Sequence, residues 1–234
     1  MVIVNVTKAV LESKLRMEIS YFGLSAFKLK GSVAAVVTDP YSRETGLKLP
    51  KVAAEIVTVS HDHFDHNYVK GVGGTSKRPE PLVVRAPGEY EAEGVSIYGY
   101  PSWHDIKEGA ERGKNGLFLI YIDGVRVLHL GDLGHTLTEK QVENLGDVDV
   151  LLVPVGGEYT IGVKEAVKII EAIQPSMVVP MHYKIPGLVT SFDKLVGVDE
   201  FVKEVGEVKR EEKLTVNRGE LPESTEYVVL AAGV

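Results

Sequence analysis

Ser60-His61-Asp62-His63-Phe64-Asp65-His66 is the stretch on which the fold reading turns. In extended backbone, residues i and i+2 project to the same side, so His61 and His63 are placed to chelate one ion. A turn directly after them brings Asp65 and His66 round to a second, so that one short loop serves two metals. With 7 histidines in 234 residues, an H-x-H-x-D-H string arises by chance in only about 3 of 10,000 chains of this composition. A solvated polar loop is therefore the weaker reading.

Outward from this loop, composition narrows the chemistry. The chain has no cysteine, which excludes disulfides, a thiolate nucleophile and thiolate-held zinc or iron–sulfur centres, leaving nitrogen and oxygen donors for any metal. The net charge of −7 and a pI near 5.6 speak against a surface built for phosphate backbones, so nucleic acid is not the expected partner. The stretch from Met1 to Val6 shows no basic segment leading into a long apolar run, and no apolar run reaches ~18 residues. The expectation is a cytoplasmic protein without a membrane partner. No linker, low-complexity tract or short repeat interrupts the chain, so a single domain over 1–234 is expected; homo-oligomerisation is left open.

Strands accumulate first: Met17 to Phe22, Ala26 to Lys30, Val33 to Val37 and Ala54 to Val59, then Leu82 to Ala86 and Val95 to Tyr98. Gly71 to Pro79 reads as loop, and no Gly-Lys-Ser/Thr follows Gly71-Val72-Gly73-Gly74 to make it a phosphate loop. Gly116 to Tyr121 and Val125 to Leu130 are joined at Asp123-Gly124, a hairpin signal because that pair tolerates positive φ. Beyond it helices alternate with strands. Thr138 and Gln141 form a capping box for a helix ending near Leu145. Val148 to Val153 is a buried strand, Val163 to Ile173 an amphipathic helix stopped by Pro175, and Met177 to Pro180 a strand. Val198 to Val205 is a weaker helix, and Lys213 to Val216 and Glu226 to Leu230 are the last strands. Two such halves fit two sheets packed face to face with helices outside.

The string His61 to His66 resembles the signature of the metallo-β-lactamase superfamily, and further residues match that family in order. His104 in Pro101-Ser102-Trp103-His104-Asp105 matches its third histidine. Asp132 in His129-Leu130-Gly131-Asp132 matches the bridging aspartate, and His182 in Val179-Pro180-Met181-His182-Tyr183 the final histidine. Asp39 matches a strand-end aspartate that buttresses the metal loop. The similarity runs from about Ile19 to Tyr183 and is strongest to the compact branch of L-ascorbate-6-phosphate lactonase-like proteins and predicted metal-dependent hydrolases. It implies an α/β, more closely α+β, four-layered αββα sandwich. It also implies two divalent ions: His61, His63 and His104 on one, Asp65, His66 and His182 on the other, and Asp132 shared. Zinc is the first expectation, with manganese, iron or nickel fitting the same donors. The chain departs from the branch at Gly23-Leu24-Ser25, where the branch often has Gly-His-Ser.

The implied reaction is hydrolysis by a hydroxide shared between the two ions, with Asp132 orienting the pair and Asp65 helping to orient the hydroxide. His135, three residues beyond Asp132, either donates a proton to a leaving group or is only exposed. His129 points away from Asp132 if alternation holds, so it reads as a buried supporting residue. Asp62 either fixes an imidazole or faces solvent. Arg112, Lys114 and Asn115 either offer a site for a substrate phosphate or carboxylate or form a plain loop, with Tyr159 and Tyr183 as weaker candidates. No Gly-x-Ser-x-Gly elbow is present. A small lactone or other ester is the expected substrate. A phosphodiester is the alternative on the same site, and a metal-retaining regulatory or scaffold protein the alternative of another class. Flavin-linked diiron chemistry is disfavoured because it usually replaces a loop histidine by glutamate and appends a flavodoxin-like domain.

Overall fold

Alternation sets the first sheet. In the computed structural model, which describes residues 15–233, β1 (Met17–Gly23) buries Met17, Ile19 and Tyr21 while Glu18 and Ser20 on its other face stay half-buried. It continues antiparallel into β2 (Ala26–Lys30) and β3 (Ala35–Thr38). The direction then changes: β5 (Ile56–Thr58) and β7 (Leu82–Val84) run parallel to β3. Between them β4 (Val52–Ala53) and β6 (Val72–Gly73) form a two-stranded parallel ladder, placing a short strand inside the segment read as loop.

The second sheet opens with β8 (Gly88–Ala92), β9 (Val95–Trp103), β10 (Lys114–Ile122) and β11 (Val125–His129), an antiparallel run. At the β10–β11 turn Asp123 and Gly124 both have positive φ, 52° and 80°, the primed geometry that matches strand twist. Helix α1 (Glu139–Leu145) carries the expected Thr138/Gln141 capping box. Then come β12 (Val150–Pro154), α2 (Val163–Ile173), β13 (Met177–Met181), α3 (Val198–Val205), β14 (Lys209–Glu211), β15 (Lys213–Val216) and β16 (Glu226–Leu230). Every residue of β12 and β13 is buried, as required of central parallel strands covered on both faces. Helix α2 packs on β12, α1 and α3 and buries Ala166, Ile169 and Ile170, the i, i+3, i+4 stripe of an amphipathic helix.

The six-stranded sheet has the order β15-β1-β2-β3-β5-β7 and the eight-stranded sheet β14-β16-β13-β12-β11-β10-β9-β8. Strand β15 leaves the half in which it lies in sequence and pairs with β1, Met17 opposite Val216. The sheets meet through contacts such as Phe27 on β2 against His129 on β11, ring centroids 6.2 Å apart. This is the mixed α/β architecture expected. Strand β9 extends five residues past the expected end at Tyr98, because pairing with β10 continues to Trp103 opposite Lys114; Gly99 and Pro101 do not end it. No helix among the described residues is long and apolar enough to cross a membrane.

Strand direction positions the site. β9 and β11 share one sense because each is antiparallel to β10, and β12 and β13 follow β11 in parallel. The chain therefore leaves β9, β11 and β13 at one edge of the sheet, directly before His104, Asp132 and His182. In the other sheet it leaves the parallel pair β3 and β5 just before Asp39 and Ser60. Carboxyl ends of parallel strands are where such sheets open a crevice.

Away from that edge, Asp149 ties the hairpin to the start of β12. Its side chain is 4% exposed and accepts from the Arg126 backbone N–H (2.8 Å), Arg126 Nε (3.2 Å) and Nη2 (2.9 Å), and Arg218 Nη1. Asp149→Ala is expected to cost about 1–3 kcal/mol of unfolding free energy, since it leaves the Arg126 N–H without its acceptor and removes the carboxylate shared by two guanidinium groups, of which Arg126 keeps Asp147. A urea-unfolding loss under about 0.5 kcal/mol, the level of an exposed ion pair, would contradict this role.

Candidate metal centre

The loop after β5 is fastened before it presents its histidines. The Ser60 N–H donates to Asp39 Oδ1 (2.7 Å) and Ser60 Oγ to Asp39 Oδ2 (2.5 Å). One turn then closes through the His66 and Asn67 N–H groups on the His63 carbonyl, at 2.9 and 3.1 Å. The outcome matches the spacing argument. The donor atoms of His61, His63 and His104 lie within 4.8 Å of one another, and so, as a second group, do those of Asp65, His66, Asp132 and His182. Every residue expected as a metal ligand is thus brought to one cluster.

Asp132 stands between the groups. Its Oδ2 is 3.2 Å from His66 Nε2, 3.3 Å from His182 Nε2, 3.4 Å from His104 Nε2 and 4.0 Å from His61 Nε2. Its own N–H donates to Asn115 Oδ1 (2.9 Å) and its Oδ1 accepts from Ser25 Oγ (3.3 Å). Asn115 in turn donates to the Leu130 carbonyl (2.9 Å) and to Ser102 Oγ (2.8 Å). Sequence reasoning offered Asn115 as a substrate-binding residue; the structure corrects this, because the side chain is buried and engaged in holding the Asp132 loop. The available signal was a polar residue beside the apolar run Leu117 to Ile122. His129 is buried as expected, its Nε2–H donating to the Ser25 carbonyl (2.9 Å) and its Nδ1 accepting from the Gly131 N–H (3.2 Å).

Asp39 sets the imidazole tautomers of both groups. His66 Nδ1–H donates to Asp39 Oδ2 (2.9 Å). His61 Nδ1–H donates to Ser60 Oγ (3.0 Å), whose own proton goes to Asp39. Both histidines therefore keep a proton on Nδ1, which leaves Nε2 as the atom each would give to a metal once any proton there is displaced. Leu24, Asp39 and His182 all have left-handed backbone, φ 49°, 39° and 53°, a cost that clusters at functional sites. Leu24 is buried, and its carbonyl accepts from the His182 N–H (2.8 Å) and Tyr21 hydroxyl (3.0 Å).

Without cations the cluster is electrostatically divided. Burial and neighbouring His66 push His61 down to about 3, and burial also lowers His104 and His129. For His66 burial acts downward too, but Asp132 and Asp65 outweigh it and hold the ring protonated. Asp132 is held low despite burial by His182 and His66. Nε2 of His61, His66 and His182 is buried with no hydrogen-bond partner. Two donors about 2.0–2.1 Å from one tetrahedral ion stand about 3.3 Å apart, which matches the separations around Asp132 Oδ2. The donor set fits metal.

A pH dependence of the metal-free protein follows. His61, His104 and His129 titrate below their ordinary 6.5; below that pH the unfolded chain takes up protons that the folded one does not, so stability is lost as pH falls. His66, shifted the other way, is protonated in both states there and adds no slope. Urea unfolding of chelator-treated protein is expected to weaken between about pH 6.5 and 4.5, by up to about 1.4 kcal/mol per pH unit for each such histidine. An unchanged unfolding free energy across that range would contradict it.

A cavity of about 550 Å³ opens over the cluster, with His63, Asp65, His104 and Asp132 among its lining residues. Phe64, Phe192, Tyr159 and Arg112 line it as well. Cavities of similar volume beside Lys28 and Lys213 and beside Tyr183 and Val198 contain none of the clustered donors, so chemistry, not size, marks the site. His135 is not brought to the cluster. Its Nδ1–H donates to the Thr136 carbonyl (2.8 Å), its Nε2 accepts from the Trp103 N–H (3.3 Å), and it lines a different cavity. That corrects its expected place at the leaving group. Tyr183 is also elsewhere, buried with its hydroxyl towards the Leu230 carbonyl (3.4 Å), and Lys114 is exposed outside the cavity. Asp62 also lines the cavity but is not in the cluster, its side chain 87% exposed and accepting from Asn67 Nδ2 (2.7 Å).

Comparison with known proteins agrees with this geometry. Residues 18–182 match the model of the beta-lactamase superfamily domain. A UPF0173 metal-dependent hydrolase of Thermococcus onnurineus is 31% identical over 211 residues, covering 77% of this chain and 92% of that protein. One of Archaeoglobus fulgidus is 30% identical over 194 residues, covering 71% and 83%. Among solved structures, a candidate Zn-dependent hydrolase of the metallo-beta-lactamase superfamily from Thermotoga maritima is 38% identical, with a TM-score of 0.74 over 92% of this chain and 98% of that one. The metallo hydrolase Igni18 from Ignicoccus hospitalis shares the fold at 22% identity, with a TM-score of 0.66 over 94% and 97%.

Proposed function

Since the chain belongs to the beta-lactamase superfamily and is a metal-dependent hydrolase, we propose that it cleaves a small lactone or other carboxylic ester at a centre of two divalent cations, zinc first. The observation that carries the binuclear reading is Asp132 Oδ2, within 4.0 Å of imidazole nitrogens from both donor groups. His61, His63 and His104 would hold one cation, Asp65, His66 and His182 the other, and Asp132 both. Such a pair supplies Lewis acidity and a water acidified towards neutral pH.

The chain's own residues prepare that chemistry. Asp39 keeps the His61 and His66 protons on Nδ1, leaving Nε2 free for coordination. Ser25 and Asn115 fix Asp132 from its free oxygen and its backbone, so the shared carboxylate does not reorganise during turnover. Phe64 and Phe192, ring centroids 6.2 Å apart, give the cavity an apolar wall that limits water. The cavity volume suits a small molecule, and among the described residues Arg112 is the only lysine or arginine lining it. A nucleic-acid backbone would call for several such cations, which favours the ester reading over phosphodiester cleavage.

The test is a parallel screen of zinc-reconstituted protein on lactones, carboxylic esters, phosphomonoesters and phosphodiesters, with His61→Ala as control. Lactone or ester turnover that disappears in the variant supports the proposal. Turnover confined to phosphodiesters overturns the substrate class.

A further inference from the structure

One cationic side chain in the cavity has no role in holding the cluster. The Arg112 guanidinium is exposed, lines the cavity, and has no carboxylate partner among the described residues. Its side-chain contacts are both with Tyr159: Nη1 donates weakly to the carbonyl at 3.4 Å, and the guanidinium carbon sits 5.3 Å from the ring centroid. Its backbone is fixed, because Asp105, directly after His104, accepts from the N–H groups of Lys107, Gly109, Glu111 and Arg112 at 2.7–3.1 Å. The loop is thereby wrapped around one carboxylate, with Arg112 as its last captured residue.

From Arg112 a continuous aromatic wall leads to the cluster. The Tyr159 ring packs edge-on to Phe192 at 6.0 Å, its hydroxyl anchored on the Ser191 carbonyl (2.5 Å). Phe192 lies 6.5 Å from the ring of His182 and 6.2 Å from that of Phe64. An arginine held over an aromatic face keeps its planar fork free for a carboxylate. One guanidinium, with no lysine beside it in the cavity, matches a single negative charge rather than a phosphate dianion.

The geometry points to Arg112 as the residue that selects substrate, by binding a carboxylate carried at the far end of an apolar body that lies along Phe64, Phe192 and Tyr159. The substrate class is thus a carboxylate-bearing ester or lactone, which rests on the reaction proposed above, whereas the binding preference requires no turnover.

The experiment is calorimetric binding of 4-phenylbutanoate and of its neutral amide to the zinc-loaded protein, to Arg112→Ala and to Arg112→Lys. The expected result is a preference for the carboxylate of about tenfold or more in the parent. It falls to near one in Arg112→Ala and is partly regained in Arg112→Lys, with melting curves unchanged. Persistence of the full preference in Arg112→Ala places the carboxylate on the metals instead and overturns the proposal, as does equal binding of acid and amide by the parent. If the screen finds no ester or lactone turnover while the Arg112-dependent preference stands, the reaction reading fails and the selectivity assignment survives.

Discussion

Asp132→Ala is expected to lower turnover by about 10⁴-fold or more and to reduce the metal retained after dialysis, the largest effect of any single change in this chain. Asp132 Oδ2 lies within 4.0 Å of imidazoles from both groups, so its loss removes an anionic donor from each side at once. The four imidazoles around it lose their shared carboxylate, and Asp65 is left as the one anionic donor among the clustered ligands. The variant should still fold, because Asn115 holds the backbone N–H of residue 132, which the substitution keeps, and is itself anchored on the Leu130 carbonyl. Metal content by emission spectroscopy, together with rates on whichever substrate the screen finds, is the check. Full turnover with an unchanged metal complement would dispose of the shared-carboxylate arrangement.

The second large effect belongs to a residue that is not expected to touch metal. Asp39→Asn preserves shape, but its amide cannot accept the Ser60 N–H, the Ser60 hydroxyl and the His66 N–H together. Those three donors now share the two carboxylate oxygens. If the amide nitrogen faces His66, the favoured tautomer carries its proton on Nε2, where a metal should bind. Affinity at both groups is expected to fall about 10–100-fold, read by titration against a chromophoric chelator. Asp39→Ala should add a stability loss of about 2–4 kcal/mol, since it leaves buried donors unpaired. Parent-like metal affinity in Asp39→Asn would mean that the tautomer is fixed by something else.

The cluster was legible in the sequence because its donors follow strand ends, and strand ends are marked by local pattern. His61 to His66 needed only the two-residue repeat of extended chain and one turn; His104, Asp132 and His182 needed only order. Helices α2 and α3 were legible to the residue, their apolar stripes being bounded by Gly162 and Pro175 and by Gly197 and Gly206. Strands β8 and β14 were not. Gly-Glu-Tyr-Glu-Ala and Lys-Arg-Glu are edge strands that bury little, so no hydrophobic alternation announces them. His135 misled because closeness in sequence to Asp132 does not fix which way a loop side chain turns, and here Trp103 and Thr136 turn it away. The supports at Ser25, Ser60 and Asn115 were invisible for a related reason: their value lies in pairing across 17 to 107 positions of chain.

Strand β15 has a consequence for the order of assembly. The edge of the first sheet is closed by residues 213–216 pairing with 17–20, so, among the described strands, the first to emerge during synthesis waits for the next to last. His182 is likewise the final donor to arrive. While the protein is being made, β1 offers an open edge to other chains, and the donors that have already emerged offer metal only a partial site. Capture of the full complement of metal is thus expected to wait for His182, so that metal supply bears on the yield of active enzyme and not on whether its first sheet begins to form.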